Sequence, residues 1–187
     1  MTTKETGLVE SVKNGVMGTV KGTGDVAKAT IDSVSGALST ALTDAGRVGH
    51  SATTAIGHVA GGAIQGASEI GAHMGEAAKG TMVGVLRGTK HVGTEAMDTI
   101  GHTAEAVIHH TAAAGGALEL AATGLVEGAI HSAKGIGVSA EQAASAAADG
   151  ALKAADRVGS AAVATVRHAL TQTISGVKVV VKAPFKA

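Results

Sequence analysis

A strict 11-residue register constrains this chain more than any other feature. Cut every 11 residues from Val12, the sequence stays in phase without insertion for fifteen units, as far as Gly176. Within that span no Asp, Glu, Lys or Arg occupies register positions 1, 4, 5 or 8. The charged residues gather at positions 2, 3, 6, 7, 10 and 11, and only Glu119 and Glu141 stand at position 9. Eleven residues make three helical turns, so positions 4, 8, 1, 5 and 9 form one apolar arc about 130° wide. Position 9 is its edge, where a carboxylate still reaches water. The pattern predicts an all-α chain: one long amphipathic helix of hendecad type over residues 12–176. An 11-residue period favours straight or slightly right-handed assembly.

A 22-residue period lies on top. Gly49, Gly71, Gly93, Gly115, Gly137 and Gly159 all stand at position 5, and Gly18, Gly62, Gly84, Gly128 and Gly150 stand at position 7 of the alternate units. Each glycine inside a helix costs about 1 kcal/mol relative to alanine. A helix with so many is not stable alone, so its apolar arc must be buried against something. Position 5 lies near the middle of the arc, where a missing side chain lets another backbone approach. The expected assembly is therefore a parallel, coiled-coil-like oligomeric tube. Its contact or lumen face would carry Val48, Gly49, Ile56, Val59, Ile70, Gly71, Met74, Val85, Val92, Gly93, Ile100 and Val107. A partly disordered chain is the plainer alternative, although disorder requires no such register.

The ends differ from the middle. Lys4 and Glu5 fall on the arc, so residues 1–11 are expected to fray. Residues 177–187 are β-branched and basic and hold the single Pro and the single Phe. They read as an extended docking tail in which Val177, Val179, Val181, Pro184 and Phe185 would meet a partner, or as a disordered solubilising terminus. Breaks in the rod are expected near 113–116 and 135–137, where glycines cluster.

Composition narrows the function. The apolar residues are mainly Ala and Val, which bury little area each, so an ordinary globular core would be weak. Lys plus Arg equals Asp plus Glu at 15 each, with no basic run and no interleaved aromatics, which argues against nucleic-acid binding. There is no cysteine, hence no disulfide or thiolate chemistry. The first residues show no apolar signal segment. The most apolar stretch, Thr111 to Ala129, is interrupted by Glu119 and Glu127 and does not read as a membrane span. A cytoplasmic location is expected.

No catalytic constellation stands out, and the chain is expected not to be an enzyme. Of nine histidines, His58, His91, His102 and His168 share position 3, while His109 and His131 share position 10. Those positions lie opposite the arc, no pair is spaced by four, and solvent-facing histidine is the expectation rather than a metal site. His109-His110 is the one local cluster, pointing in two directions. Glu119, Glu127 and Glu141 are spread along the rod with no pocket implied.

An amphipathic rod of this kind has three uses. It can coat a lipid surface, and the 11-residue repeats resemble those of perilipins and synucleins; a storage-granule coat of the phasin kind is a related use. It can assemble into an oligomeric tube, or serve as a spacer. The Gly/Ala-rich rod, the near absence of aromatics and the distinct tail from Val177 to Ala187 also resemble the stalk subunit of mycobacterial high-affinity nickel–iron hydrogenases. That resemblance implies a membrane-associated scaffold of four copies, bound to the large and small hydrogenase subunits and to the inner face of the cell membrane. Menaquinone would pass through its apolar interior as cargo, with no cofactor held by the chain's own residues. The resemblance rests on architecture and carries no site residues one by one.

Overall fold

A glycine in the left-handed region ends an α-helix without steric cost, and this chain uses that device again and again. The computed structural model describes residues 3–19, 25–45, 52–89 and 93–180. Among them are eight α-helices: α1 Thr3–Thr19, α2 Asp25–Ala45, α3 Ala52–Glu69, α4 Met74–Thr89, α5 Gly93–Ala113, α6 Leu118–Ala133, α7 Ala140–Val158 and α8 Ser160–Leu170. A short 3₁₀ turn, Lys134–Ile136, follows α6, and a two-stranded hairpin, β1 Thr173–Ile174 and β2 Val177–Lys178, follows α8.

The all-helical expectation holds, but the continuous rod does not. Gly71 (φ 63°), Gly115 (φ 67°) and Gly137 (φ 74°) each sit in the left-handed region. At the first, the Ala72 N–H donates to the Ala67 carbonyl (2.8 Å) and the Gly71 N–H to that of Ser68 (3.1 Å). The pair Gly116 to Thr111 (2.8 Å) and Gly115 to Ala112 (3.1 Å) repeats the arrangement, and Val138 to Ala133 (3.1 Å) supplies its longer bond at Gly137. This crossed pair satisfies carbonyls that a helix end leaves free. The 22-residue unit is therefore one helix with its turn. The position-5 glycines Gly71, Gly115 and Gly137 are helix stops, not points of backbone contact: a Cβ on any of them would meet nothing within 4 Å. Turns thus fall at 113–116 and 135–137, and also at 70–73. At 158–159 Gly159 (φ 140°) joins α7 to α8. Helix α1 begins at Thr3, inside the segment expected to fray, and is held by Val12 and Val16, both fully buried.

Helices two apart in sequence lie side by side, forming one layer of α1, α3, α5 and α7 and a second of α2, α4, α6 and α8. Neighbours within a layer run in the same direction: Gly62 and Gly66 of α3 sit beside Val9 and Lys13 of α1, and Gly80 and Gly84 of α4 beside Ala27 and Ile31 of α2. The layers enclose two apolar clusters. The smaller joins Val12, Val16, Val34, Leu38, Ile56, Val59 and Val85. The larger runs from α3 through α8, with Val26 of α2, and is built mostly of alanine, with Ile64, Met82, Ile100, Ile108, Leu125 and Leu170 among its larger members.

The hairpin turns on Ser175 (φ 49°) and Gly176 (φ 78°), the two positive values that a tight two-residue turn requires. It pairs Ile174 with Val177 and Thr173 with Lys178, and Ile174 and Val179 close over the larger cluster.

Candidate functional site

The most specific geometry in the chain lies in the seams between like-directed helices. In α4, a Cβ on Gly80 would stand 2.6 Å from the Ala27 carbonyl oxygen, on Gly84 2.9 Å from the Val34 Cβ, and on Gly88 3.1 Å from the Leu38 Cβ. In α3, Gly66 faces Lys13 and Val16 of α1, and the Gly62 position is filled by the Val9 carbonyl. In α6, Gly128 faces Met82 of α4 (2.9 Å), and Gly124 is covered by the Gly75 backbone. In α7, Gly150 is covered by the Gly101 backbone of α5. Each seam thus presses the backbone and larger side chains of one helix into glycine notches of the next.

These glycines occupy register positions 3, 7 and 11, spaced by four. That stripe runs beside the apolar arc, on the flank that carries charge elsewhere. The position-7 glycines Gly62, Gly84, Gly128 and Gly150 belong to it, while Gly66, Gly80, Gly88 and Gly124 were not singled out from sequence. Their signal in the sequence is the Gly-x-x-x-Gly spacing of Gly62 and Gly66, of Gly80, Gly84 and Gly88, and of Gly124 and Gly128, which lies off the apolar arc.

Charge pairs stitch the same seams: Lys13 to Glu69 (2.7 Å) between α1 and α3, and Lys79 to Glu127 (3.2 Å) between α4 and α6. Between α5 and α7, Glu105 meets Lys153 (3.9 Å) and Arg157. The Lys13 ammonium donates to Glu69 and holds that carboxyl below the usual carboxylate range. Such exposed pairs set register more than they add stability.

The face expected from sequence is buried, but within the chain itself. Ile56, Val59 and Val85 lie in the smaller cluster, and Met74, Ile100 and Val107 in the larger. Ile70 is exposed beside the turn glycine Gly71, and Gly93 opens α5. Val48, Gly49 and Val92 lie outside the described residues. Of the tail, Val177 is half-buried in β2 and Val179 is buried, whereas Val181, Pro184 and Phe185 lie outside the described residues.

One histidine departs from the solvent-facing expectation. His110 of α5 lies in the α3 seam, its ring against Gly61 with Cε1 and Nε2 3.0 Å from where a Cβ there would stand. It donates to the Gly57 carbonyl, and His58 and His109 stand nearby. Loss of hydration lowers its pKa from the ordinary imidazole value of 6.5, and the two neighbouring imidazoles push the same way. The rings of His109 and His110 meet edge to face at 5.4 Å. Among the described residues no group of three histidines or carboxylates could hold a metal ion.

A groove of about 580 Å³ runs between α5 and α7, walled by Asp98, Glu105, Glu141, Asp149 and Lys153 with Met97 at its side. Its charges are partly spent on the Glu105 pairs. No helix among the described residues is long and apolar enough to cross a membrane. No protein-family model matches this chain, and comparison with curated proteins gives no match.

Proposed function

We propose that the chain is a non-catalytic scaffold that works by pairing helices, within itself and between copies or with a helical partner. The observation that carries this reading is the set of glycine notches at Gly62, Gly84, Gly124, Gly128 and Gly150, each filled by a neighbouring helix. A lipid surface offers no backbone to such a notch. The seams therefore favour a helix as partner over the lipid-surface or granule-coat use of the same amphipathic pattern. Because the units repeat every 22 residues, a helix of one copy can replace its equivalent in another. The turn glycines serve as hinges, since glycine enters the helical region freely.

In the form suggested by the resemblance, four copies raise a stalk that binds the large and small subunits of a nickel–iron hydrogenase. The stalk stands on the cytoplasmic face of the membrane, and menaquinone passes along its apolar interior. That form asks Ile56, Val59, Ile100 and Val107 to exchange partners within the chain for partners in other copies. Native mass spectrometry of the tagged chain, purified in mild detergent from its own host, is the test. Several copies with stoichiometric oxidoreductase subunits and quinone support the stalk. Several copies alone keep the scaffold and remove the hydrogenase. A single copy with no protein partner overturns both.

A further inference from the structure

The groove between α5 and α7 is built in two levels. Its floor is the seam itself, where the Gly101 backbone covers Gly150. Ala146 and Met97 extend this apolar lining. Gly150 is buried, and Gly101, Ala146 and Met97 are half-buried. The walls carry Asp98 and Glu105 from α5 and Glu141 and Asp149 from α7, with Lys153 beside them. Glu105 is engaged by Lys153 and Arg157. With Arg157 included, four carboxylates meet two cations, and the groove keeps a negative excess of two.

One segment of the chain has the opposite pattern. Residues 181–187 lie outside the described residues, and their sequence is Val181-Lys182-Ala183-Pro184-Phe185-Lys186-Ala187. It holds two lysines and no acid. Successive side chains of an extended segment point to opposite sides. That alternation puts Val181, Ala183 and Phe185 on one side and Lys182 and Lys186 on the other. Pro184 suits an extended path and opposes a helix. The apolar side matches the floor. The two ammonium groups, on long stems that bend back to the walls, match the excess charge in sign and in number.

The segment also starts from the right place. Gly159 turns the chain from the end of α7 into α8, and β2 then packs against α7. Val179 is buried over the larger cluster and Val180 is exposed. The chain therefore leaves the fold beside the helix that forms one wall of the groove. From Glu141 to Lys153 that wall is ~18 Å long at 1.5 Å per residue. Seven extended residues reach ~23 Å at about 3.3 Å each. A tethered segment meets such a site at an effective concentration of about a millimolar, which a free cationic peptide has to match.

We propose that residues 181–187 dock along the groove between α5 and α7 of their own chain, with Val181, Ala183 and Phe185 toward the floor and Lys182 and Lys186 toward the carboxylates. The tail is then a strap over the outer face of the α5–α7 seam. The residues expected to reach a partner are held there until the strap is displaced. The docking takes place within one copy and does not depend on the scaffold reading.

The chain has no cysteine, so introduced pairs report proximity without background. In the full chain, Ser145→Cys with Ala183→Cys puts one thiol in the groove and one in the tail. His102→Cys with Ala183→Cys tests the other wall. Under mild oxidation both pairs should close a disulfide within one chain, read by intact mass and by faster migration on a non-reducing gel. Thr40→Cys with Ala183→Cys, on an exposed part of α2, should close roughly tenfold more slowly. Adding Lys182→Glu and Lys186→Glu to the Ser145 pair should slow its closure about tenfold, and high salt should slow the unreversed pair. Closure of both groove pairs at the control rate overturns the proposal, as does closure indifferent to the lysine reversal. Disulfides formed only between two chains make the tail a contact between copies and overturn it as well. His102 is exposed, so its pair keeps the test readable if Ser145→Cys disturbs the seam.

Discussion

Two glycines in the same layer face opposite fates on gaining a methyl group. A Cβ at Gly84 meets the Val34 Cβ at 2.9 Å and the Ile31 carbonyl oxygen at 3.0 Å. Neither can yield without moving a helix, and forced overpacking of that kind costs about 1–3 kcal/mol. The better helix propensity of alanine returns about 1 kcal/mol. Gly84→Ala is therefore expected to destabilise, by up to about 2 kcal/mol. A Cβ at Gly36, in α2, meets nothing within 4 Å. Only the propensity gain remains, and Gly36→Ala should stabilise by roughly 0.5–1 kcal/mol. Denaturant midpoints of the two variants should move in opposite directions; movement in the same direction would refute the notch account. Sequence alone ranks these glycines poorly. Both sit in helices, and position 7 differs from position 3 only in which neighbour it meets. That neighbour is a helix two units earlier, and its offset is set by packing rather than by the register.

At the level of single helices, the ends are built from different parts. Helix α7 opens on a reciprocal cap: the Gln142 N–H donates to the Ser139 hydroxyl (3.1 Å), and the Gln142 side chain accepts from the Ser139 N–H (3.0 Å). Helix α6 opens on Ala117, which supplies no side-chain cap. Ser139→Ala should cost about 1 kcal/mol. At the other kind of end, Gly115→Ala places a side chain at φ 67°, a conformation that costs an L residue about 1–2 kcal/mol. Both losses should appear in hydrogen exchange as faster opening of the adjacent turn, in α7 for the first and at the end of α5 for the second. Uniform acceleration across all helices would deny them a local origin. The breaks at 113–116 and 135–137 were legible because a second glycine, Gly116 or Gly135, stands close to the position-5 glycine there. The break at 70–73 was not, because Gly71 stands without such a companion. An 11-residue register describes a rod and a row of 22-residue helix-and-turn units equally well, and the choice lies in the energy of the turn. The apolar arc was legible for the same reason: Ile56, Val59, Ile100 and Val107 must be covered in either arrangement, and the pattern does not say by which chain.

Across the whole molecule, the seam between α3 and α5 joins two unequal halves. Most of the smaller apolar cluster belongs to α1, α2 and α3, with Val85 of α4, and the larger belongs mainly to α4 through α8. His110 stands in that seam between His58 and His109, and its pKa is lowered chiefly by lost hydration. A base whose folded pKa lies below its unfolded value binds fewer protons when folded. Stability therefore rises with pH across the interval between the two values. Its contribution is complete above the ordinary value of 6.5 and falls as acid carries the pH from there down through the folded value. Glu69 and Glu141 act in a lower window: both are held below the ordinary 4.5, Glu69 first by the Lys13 hydrogen bond and Glu141 first by its own backbone N–H. Their stabilisation is present above that value and is lost as pH falls through their folded values. Acid should thus weaken the molecule in two stages, the first in the α3–α5 seam and the second at the exposed carboxylates. His110→Gln keeps a hydrogen-bond donor for the Gly57 carbonyl without a titrating ring. It should abolish the first stage and leave the second, with denaturant midpoints between pH 7.5 and pH 5.5 as the measurement. If the variant loses stability over that range as steeply as the parent chain, the seam histidine does not control the acid response.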